Sequence, residues 1–273
     1  HLFPNGDVLA IFEGIGIIKV DRASRLLWKQ QNGAHHDLHV LENGDIWVLT
    51  RKAHAVADIN SRFPTMEDFA TLLDADGNEL RSVSLLEAAR QSGEMGRLIW
   101  ARMQPDGDVM HTNSIYLFGD GSLVVSMLYP NVVARLDPEA GRFTGIIPGA
   151  WKRQHHARPL ANGNLMVYDN RSTPGYSALI EVDGAGEVAW EFRGSEETPF
   201  YSYSCGAWHE QANGNFLVVE SDGGRAFEIT RDKEMVWEWY NPHRAGDAGQ
   251  FIATLFDVVR VPEAWRADLV APE

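Results

Sequence analysis

Apolar and polar residues along this chain alternate in short runs, and the runs are broken by glycine-centred turns. "NGDVLAIF", "VLENGDIWVLT", "FGDGSLVVSM", "LANGNLMVYDN" and "QANGNFLVV" place Asn-Gly or Asp-Gly between or before apolar runs, at Asn5, Asn43, Asp120, Asn162 and Asn213. Apolar runs joined by such dipeptides predict β-hairpins, with type I′ turns that need positive φ at both central residues. A second hairpin follows the first. In "GIIKVDRASRLLWK" (16–29), "ALIEVDGAGEVAWEF" (178–192) and "AFEITRDKEMVWEW" (226–239) a Trp falls seven positions after the residue that opens the turn: Asp21 to Trp28, Asp183 to Trp190 and Thr230 to Trp237. "ATLLDADGNELRSVSL" and "ARLDPEAGRFTGII" keep the turn without the Trp. One unit is therefore four short strands and three turns.

The unit recurs about every 40–50 residues, a period that points to a propeller or solenoid. Five copies start near His1, His35, His111, His155 and His209. The prediction is an all-β β-propeller of four-stranded antiparallel blades, a single domain over 1–273. The run "FIATLFDVVRVP" (251–262) reads as one more strand, and with an upstream segment it would complete about six blades. A helical period is visible only in "LLEAARQSGEMGRLIWARM" (85–103), which reads as an insertion between blades.

Composition narrows the function classes. A net charge of −14 argues against nucleic acid and anionic membranes as partners. It leaves room for a small anionic substrate held by a few local cations. No apolar stretch is long enough for a membrane-spanning helix. The one cysteine, Cys205, cannot form an internal disulfide.

The candidate chemistry lies in the histidines that precede the first turn of each copy. If first strands line the axis, equivalent positions converge there on two levels. One level holds His35, His36, His111, His155 and His156; the other holds His1, His39 and His209, with Arg158 in the fourth copy. Strand side chains alternate between faces, so one member of each adjacent pair should point off the axis. His54 and His243 read as solvated loop residues. A ring of imidazoles suits anion binding, proton transfer or metal ligation, or simply ties blades together. In the metal reading His36, His111, His156 and His209 bind a divalent ion, with Asp37 and Glu210 orienting them. A third possibility is a non-catalytic propeller that binds a small anion or a protein. Trp151, Tyr201, Tyr203 and Trp208 are candidates to sandwich an aromatic ring at the mouth.

"MHTNSI", then "QHHA" and "YDNR" in the next copy, resemble the arylsulfotransferase family of six-bladed propellers, over most of the chain and in blade order. The resemblance implies sulfuryl transfer from an aryl sulfate to a phenolic acceptor, with no cofactor and a transiently sulfated channel histidine. It implies catalytic roles for His111 (the HxNSI histidine), His155 (the QH histidine) and Arg171. His209 joins them from the next first strand. Substrate contacts fall to His36, His39, His156, Arg158, Asn113 and Trp208. Members are commonly exported, which implies a periplasmic or extracellular location. The chain departs from the family in "VVESDGGRAF" (218–227), which has no histidine where better-understood members carry the nucleophile. His209 lies before the turn instead.

Overall fold

The computed structural model describes residues 1–98, 107–263 and 265. It has the all-β architecture of a β-propeller, built from antiparallel blades in which consecutive strands are neighbours. The chain divides into two compact units, His1–Ile147 with Val261–Glu273, and Pro148–Arg260.

The first unit holds three blades. β1 (Val8–Phe12), β2 (Gly16–Val20) and β3 (Leu26–Gln30) form the first, and a bridge from Leu2 to Val8 adds a rudimentary fourth strand. The second is β4 (Ala34–Val40), β5 (Ile46–Val56), β6 (Asn60–Leu73) and β7 (Glu79–Ser84). α1 (Leu85–Gln91) and α2 (Met95–Leu98) follow, where the helical period predicts helix; the remainder of that segment, 99–103, lies outside the described residues. Ser84 caps α1 by accepting the Glu87 N–H, and Leu85, Leu86, Ala88 and Ala89 enter the core. The third blade is β8 (Thr112–Leu117), β9 (Leu123–Met127), β10 (Val132–Asp137) and β11 (Arg142–Ile147).

The second unit holds β12 (His155–Pro159), β13 (Leu165–Thr173), β14 (Tyr176–Val182) and β15 (Val188–Arg193), then β16 (Ala207–Glu210), β17 (Phe216–Glu220), β18 (Arg225–Ile229) and β19 (Met235–Tyr240). A two-residue hairpin, β20 (Arg244–Ala245) with β21 (Phe251–Ile252), follows. The strand expected over 251–262 thus pairs only at its first two residues. Among the described residues no helix is long and apolar enough to cross a membrane.

Each unit has its own apolar core. In the first, Leu49, Ala70, Ile115, Val125 and Leu136 pack with α1, and Leu9, Ile17, Ile46 and Val48 fill a second cluster. In the second, Tyr168, Phe192, Phe200, Trp208, Phe216 and Phe227 form an aromatic core. Apolar residues on both faces of the middle strands explain the near-continuous runs seen in the sequence.

The first turns differ from the predicted type I′. Gly6, Gly44, Gly121, Gly163 and Gly214 have φ between 82° and 89°, but the preceding Asn or Asp residues do not have positive φ. The Asn162 side chain accepts the Asn164 N–H at 2.9 Å, and Gly163 N–H bonds Leu160 carbonyl at 2.9 Å. The same Asx bond recurs at Asn5, Asn43, Asp120 and Asn213. That local bond holds Asn at negative φ, so only the glycine enters the left-handed region.

The repeated Trp has a specific task. Trp28 Nε1–H donates to Ala75 carbonyl at 3.1 Å, and Trp190 Nε1–H to Arg231 carbonyl at 2.8 Å. Each outer strand thereby ties to the outer turn of the next blade. A Cβ on Gly77 would sit 2.7 Å from the Trp28 ring, so that turn needs glycine for close approach as well as for its φ of 85°. Trp237, on the last four-stranded blade's outer strand, is 41% exposed and has no such acceptor among the described residues.

Candidate functional site

The predicted first-strand histidines do lie at the starts of β4, β12 and β16, and His111 immediately precedes β8. Three of them share a conformation that the sequence does not announce. His36, His111 and His156 have φ of 54°, 52° and 46°. Such a backbone at a non-glycine residue costs on the order of 1 kcal/mol or more and concentrates at functional sites. Each lies in or beside a β-bulge: between Ala34 and Leu38, between Thr112 and Ser114, and between His155 and Arg158. A bulge re-aims side chains that a regular strand would send to opposite faces.

In the first unit the bulge brings the adjacent imidazoles together. His35 Nδ1 lies 2.9 Å from His36 Nδ1, correcting the expectation that one of the pair points away. Glu13 meets His36 twice, accepting its backbone N–H at 2.8 Å and approaching Nδ1 at 3.2 Å. His35 is fully buried, and its Nε2 is 3.4 Å from Asp68 Oδ1. Burial first, then the charge of Arg51, push the His35 pKa well below the ordinary value, so this ring is neutral.

His111 stands beside this pair, its ring 4.8 Å from that of His36 and 5.0 Å from Tyr129. Asp108 accepts the His111 backbone N–H at 2.8 Å and holds Nδ1 at 2.6 Å. Arg51 lies behind, 3.5 Å from Asp108 and 3.3 Å from Asp68. Burial pushes the Asp108 carboxyl up, but His111 and Arg51 outweigh it and the pKa is lowered. Burial dominates at Asp68, whose pKa is raised despite Arg51 and the bond from Thr112 N–H. The result is an imidazole fixed in ring orientation by a buried carboxylate, with Nε2 as its remaining nitrogen.

The second unit carries a different constellation. His209 Nε2 pairs with Asp257 at 2.6 Å, and its ring lies 5.4 Å from His156. The two come from different levels of successive first strands, and their rings meet. Burial raises the Asp257 carboxyl less than His209 and Arg158 lower it, so its pKa falls. His156 is buried, and burial together with Arg158 and His209 pushes its pKa well down. Its Nδ1 accepts the Trp208 backbone N–H at 3.3 Å.

His155 is anchored through one ring nitrogen. Its Nδ1 bonds Asn170 Oδ1 at 2.7 Å, and Asn170 in turn donates to the carbonyls of Ser202 and Cys205. Arg171 stacks over Tyr203 at 3.9 Å, with Nε and Nη2 buried and without a hydrogen bond among the described residues. Next to it, burial raises Asp169 to a pKa of about 6, although the backbone N–H groups of Lys152 and Arg171 oppose this.

Other expectations need revision. Trp208 and Trp151 are buried rather than at a mouth, and Trp208 donates to the His156 carbonyl. Asn113 is buried at the start of β8, and His39 stacks on Tyr116 at 3.9 Å. His54 is no loop residue: it lies on β5, half exposed, and pairs with Glu67 because the β5–β6 hairpin extends well beyond the sheet. His243 is in an exposed loop as predicted. Asp37 accepts the backbone N–H groups of Leu38 and Ile115, and Glu210 accepts that of Ala161. Asp108, Asp257, Glu13, Arg51 and Asp68 are the site residues the sequence reading missed. Asp108 had a usable signal, an Asp three positions before a histidine at a strand start.

No curated protein matches this chain. A solved protein of unknown function from Bacteroides caccae superposes with a TM-score of 0.62 at 13% identity, covering 88% of this chain and 80% of that one. Virginiamycin B lyase from Staphylococcus aureus gives 0.52 at 12% identity over 89% and 69% of the two chains. A catalytically inactive variant of that lyase, with quinupristin, gives 0.54 at 14% over the same shares. At these identities the likeness establishes the propeller fold alone. The family evidence is of another kind, because the sequence profile of the arylsulfotransferase (ASST) family matches residues 1–244. This chain belongs to the arylsulfotransferase family.

Proposed function

We propose that the chain transfers a sulfuryl group from an aryl sulfate to a phenolic acceptor, and that His111 is the reacting imidazole. The observation that carries this reading is the His111–Asp108 pair, 2.6 Å apart with the carboxylate buried. With Nδ1 held by Asp108, the His111 Nε2 lone pair forms a bond to sulfur as the S–O bond to the donor phenolate breaks. Asp108 balances the positive charge of the sulfurylated ring. In the second step the acceptor phenolate forms the new S–O bond as the N–S bond breaks. Across the cycle one proton passes from acceptor phenol to departing donor phenolate.

The transition states are loose and spread negative charge over the sulfuryl oxygens, so positioned cations and N–H donors matter most. His36 is an adjacent donor, and Tyr129 offers an aromatic wall beside His111. The chain's own His–Asp pair supplies the nucleophile that region 218–227 lacks. The test is release of donor phenol from an aryl sulfate with and without an acceptor phenol. Acceptor-dependent release that disappears in His111→Ala is the expected result. Release that is unchanged in that variant overturns the reading.

A further inference from the structure

The geometry points to a divalent transition-metal site formed by Glu13, His35 and His36, which we propose as a ligand set separate from the sulfuryl-transfer histidine. The ligand atoms of these three residues, one from each, all lie within 4.8 Å of one another. The two Nδ1 atoms are 2.9 Å apart, and Glu13 Oε1 is 3.2 Å from His36 Nδ1. Ligands about 2.0–2.1 Å from a tetrahedral zinc ion are themselves separated by about 3.3 Å, so small movements admit the ion.

The local backbone makes this convergence. Neighbouring residues in a regular strand face opposite ways. Here the left-handed φ of 54° at His36 and the bulge between Ala34 and Leu38 turn adjacent rings toward each other, centroids 5.1 Å apart and nearly perpendicular.

The surroundings supply what a metal-bound imidazole needs. If His35 binds through Nδ1, its Nε2–H faces Asp68 Oδ1, at 3.4 Å in a fully buried contact. That is the carboxylate–histidine–metal arrangement that fixes ring orientation. Charge favours a cation: Glu13 belongs to the cluster, Asp68 faces His35, and the Arg51 guanidinium is itself paired with Asp68 and Asp108. Two nitrogens and one carboxylate suit zinc, cobalt, nickel or iron(II) and not magnesium or calcium, which prefer oxygen. Three protein ligands leave a position for water or an oxyanion.

The experiment is a titration of the untagged, chelator-stripped full chain with Co²⁺, read by visible absorption and followed by displacement with Zn²⁺. One saturating Co²⁺ per chain with strong tetrahedral-type absorption is expected. Glu13→Gln, a partly exposed change that keeps the acceptor for His36 N–H, and His36→Gln should each weaken binding at least about tenfold. Asp68→Asn should weaken it by roughly 10–100-fold without touching the ion. His243→Ala should bind as the native chain does. Absence of a saturable site, or a site that survives both Glu13→Gln and His36→Gln, overturns the proposal. The titration reads metal alone, so its outcome is independent of whether the chain turns over aryl sulfates.

Discussion

The two units each pair a histidine with an aspartate at 2.6 Å, but they do so by different means. His111 and Asp108 are three residues apart, and the same carboxylate holds both ring and backbone of the histidine. The Asp108 side chain is 5% exposed, with Arg51 behind it. His209 and Asp257 are 48 residues apart, and Asp257 lies in a stretch without strand or helix, its side chain 50% exposed. A short, buried, doubly bonded pair is preorganised, and a low-dielectric setting magnifies its charge interaction. A pair closed by an exposed loop is screened by water and depends on that loop staying in place. The comparison is the reason for assigning the chemistry to the first unit.

The largest effect should come from the histidines. His111→Ala is expected to lower sulfuryl-transfer turnover by about 100-fold or more, and His209→Ala by less than about 10-fold. Equal losses measured side by side would erase the distinction. One step smaller are the carboxylates. Asp108→Asn should lower kcat by roughly 10–100-fold with little change in KM, because it acts by orienting His111 and balancing its charge. Asp257→Asn should change kcat only a few-fold, and steady-state kinetics of both variants check this.

A third prediction concerns stability and sets Asp108 against Asp169, another buried carboxylate. Asp169 has one oxygen without a hydrogen bond and a pKa raised by burial to about 6 from 3.8. Between those values the folded chain holds a proton that the unfolded chain has lost. The ionised group therefore weakens folding above pH 6, and the penalty fades as pH falls toward 4. Asp169→Asn should raise stability at pH 7 by up to about 3 kcal/mol, and the gain should shrink to nothing near pH 4. Asp108, with a lowered pKa, behaves oppositely: Asp108→Asn should destabilise at pH 7. Urea unfolding of the three proteins across that pH range gives the comparison.

The smallest effect concerns the repeated Trp. Trp28→Phe removes a hydrogen bond to the next blade and should cost about 1 kcal/mol. Trp237→Phe should cost less than about 0.5 kcal/mol, since that indole is exposed and makes no such bond. Thermal denaturation of the two variants decides it.

These contrasts also mark what the residues alone could convey. The Gly turns and the histidines before them fixed the blades, because turn chemistry and hairpin periodicity are local. The Trp spacing was visible, though its acceptor on the next blade was not. Within the site, alternation along a strand predicts that His35 and His36 diverge. A left-handed bulge reverses that, and nothing in "AHHDLHV" signals it. Glu13, Arg51 and Asp68 come from other strands or turns, and Asp257 from a loop, so their meeting with the histidines is tertiary. His54 looked like a loop residue because its run is polar, whereas β5 and β6 simply pair farther out than their apolar cores.

The central claim, that His111 carries the sulfuryl group, is tested most directly by mixing the protein with an excess of aryl sulfate in the absence of acceptor, quenching at alkaline pH and mapping peptides by mass spectrometry. The account predicts one added SO₃ on the peptide containing His111, removed on adding a phenol and absent in His111→Ala. An adduct on His209 or on another residue, or acceptor-dependent turnover with no adduct on His111, would contradict it.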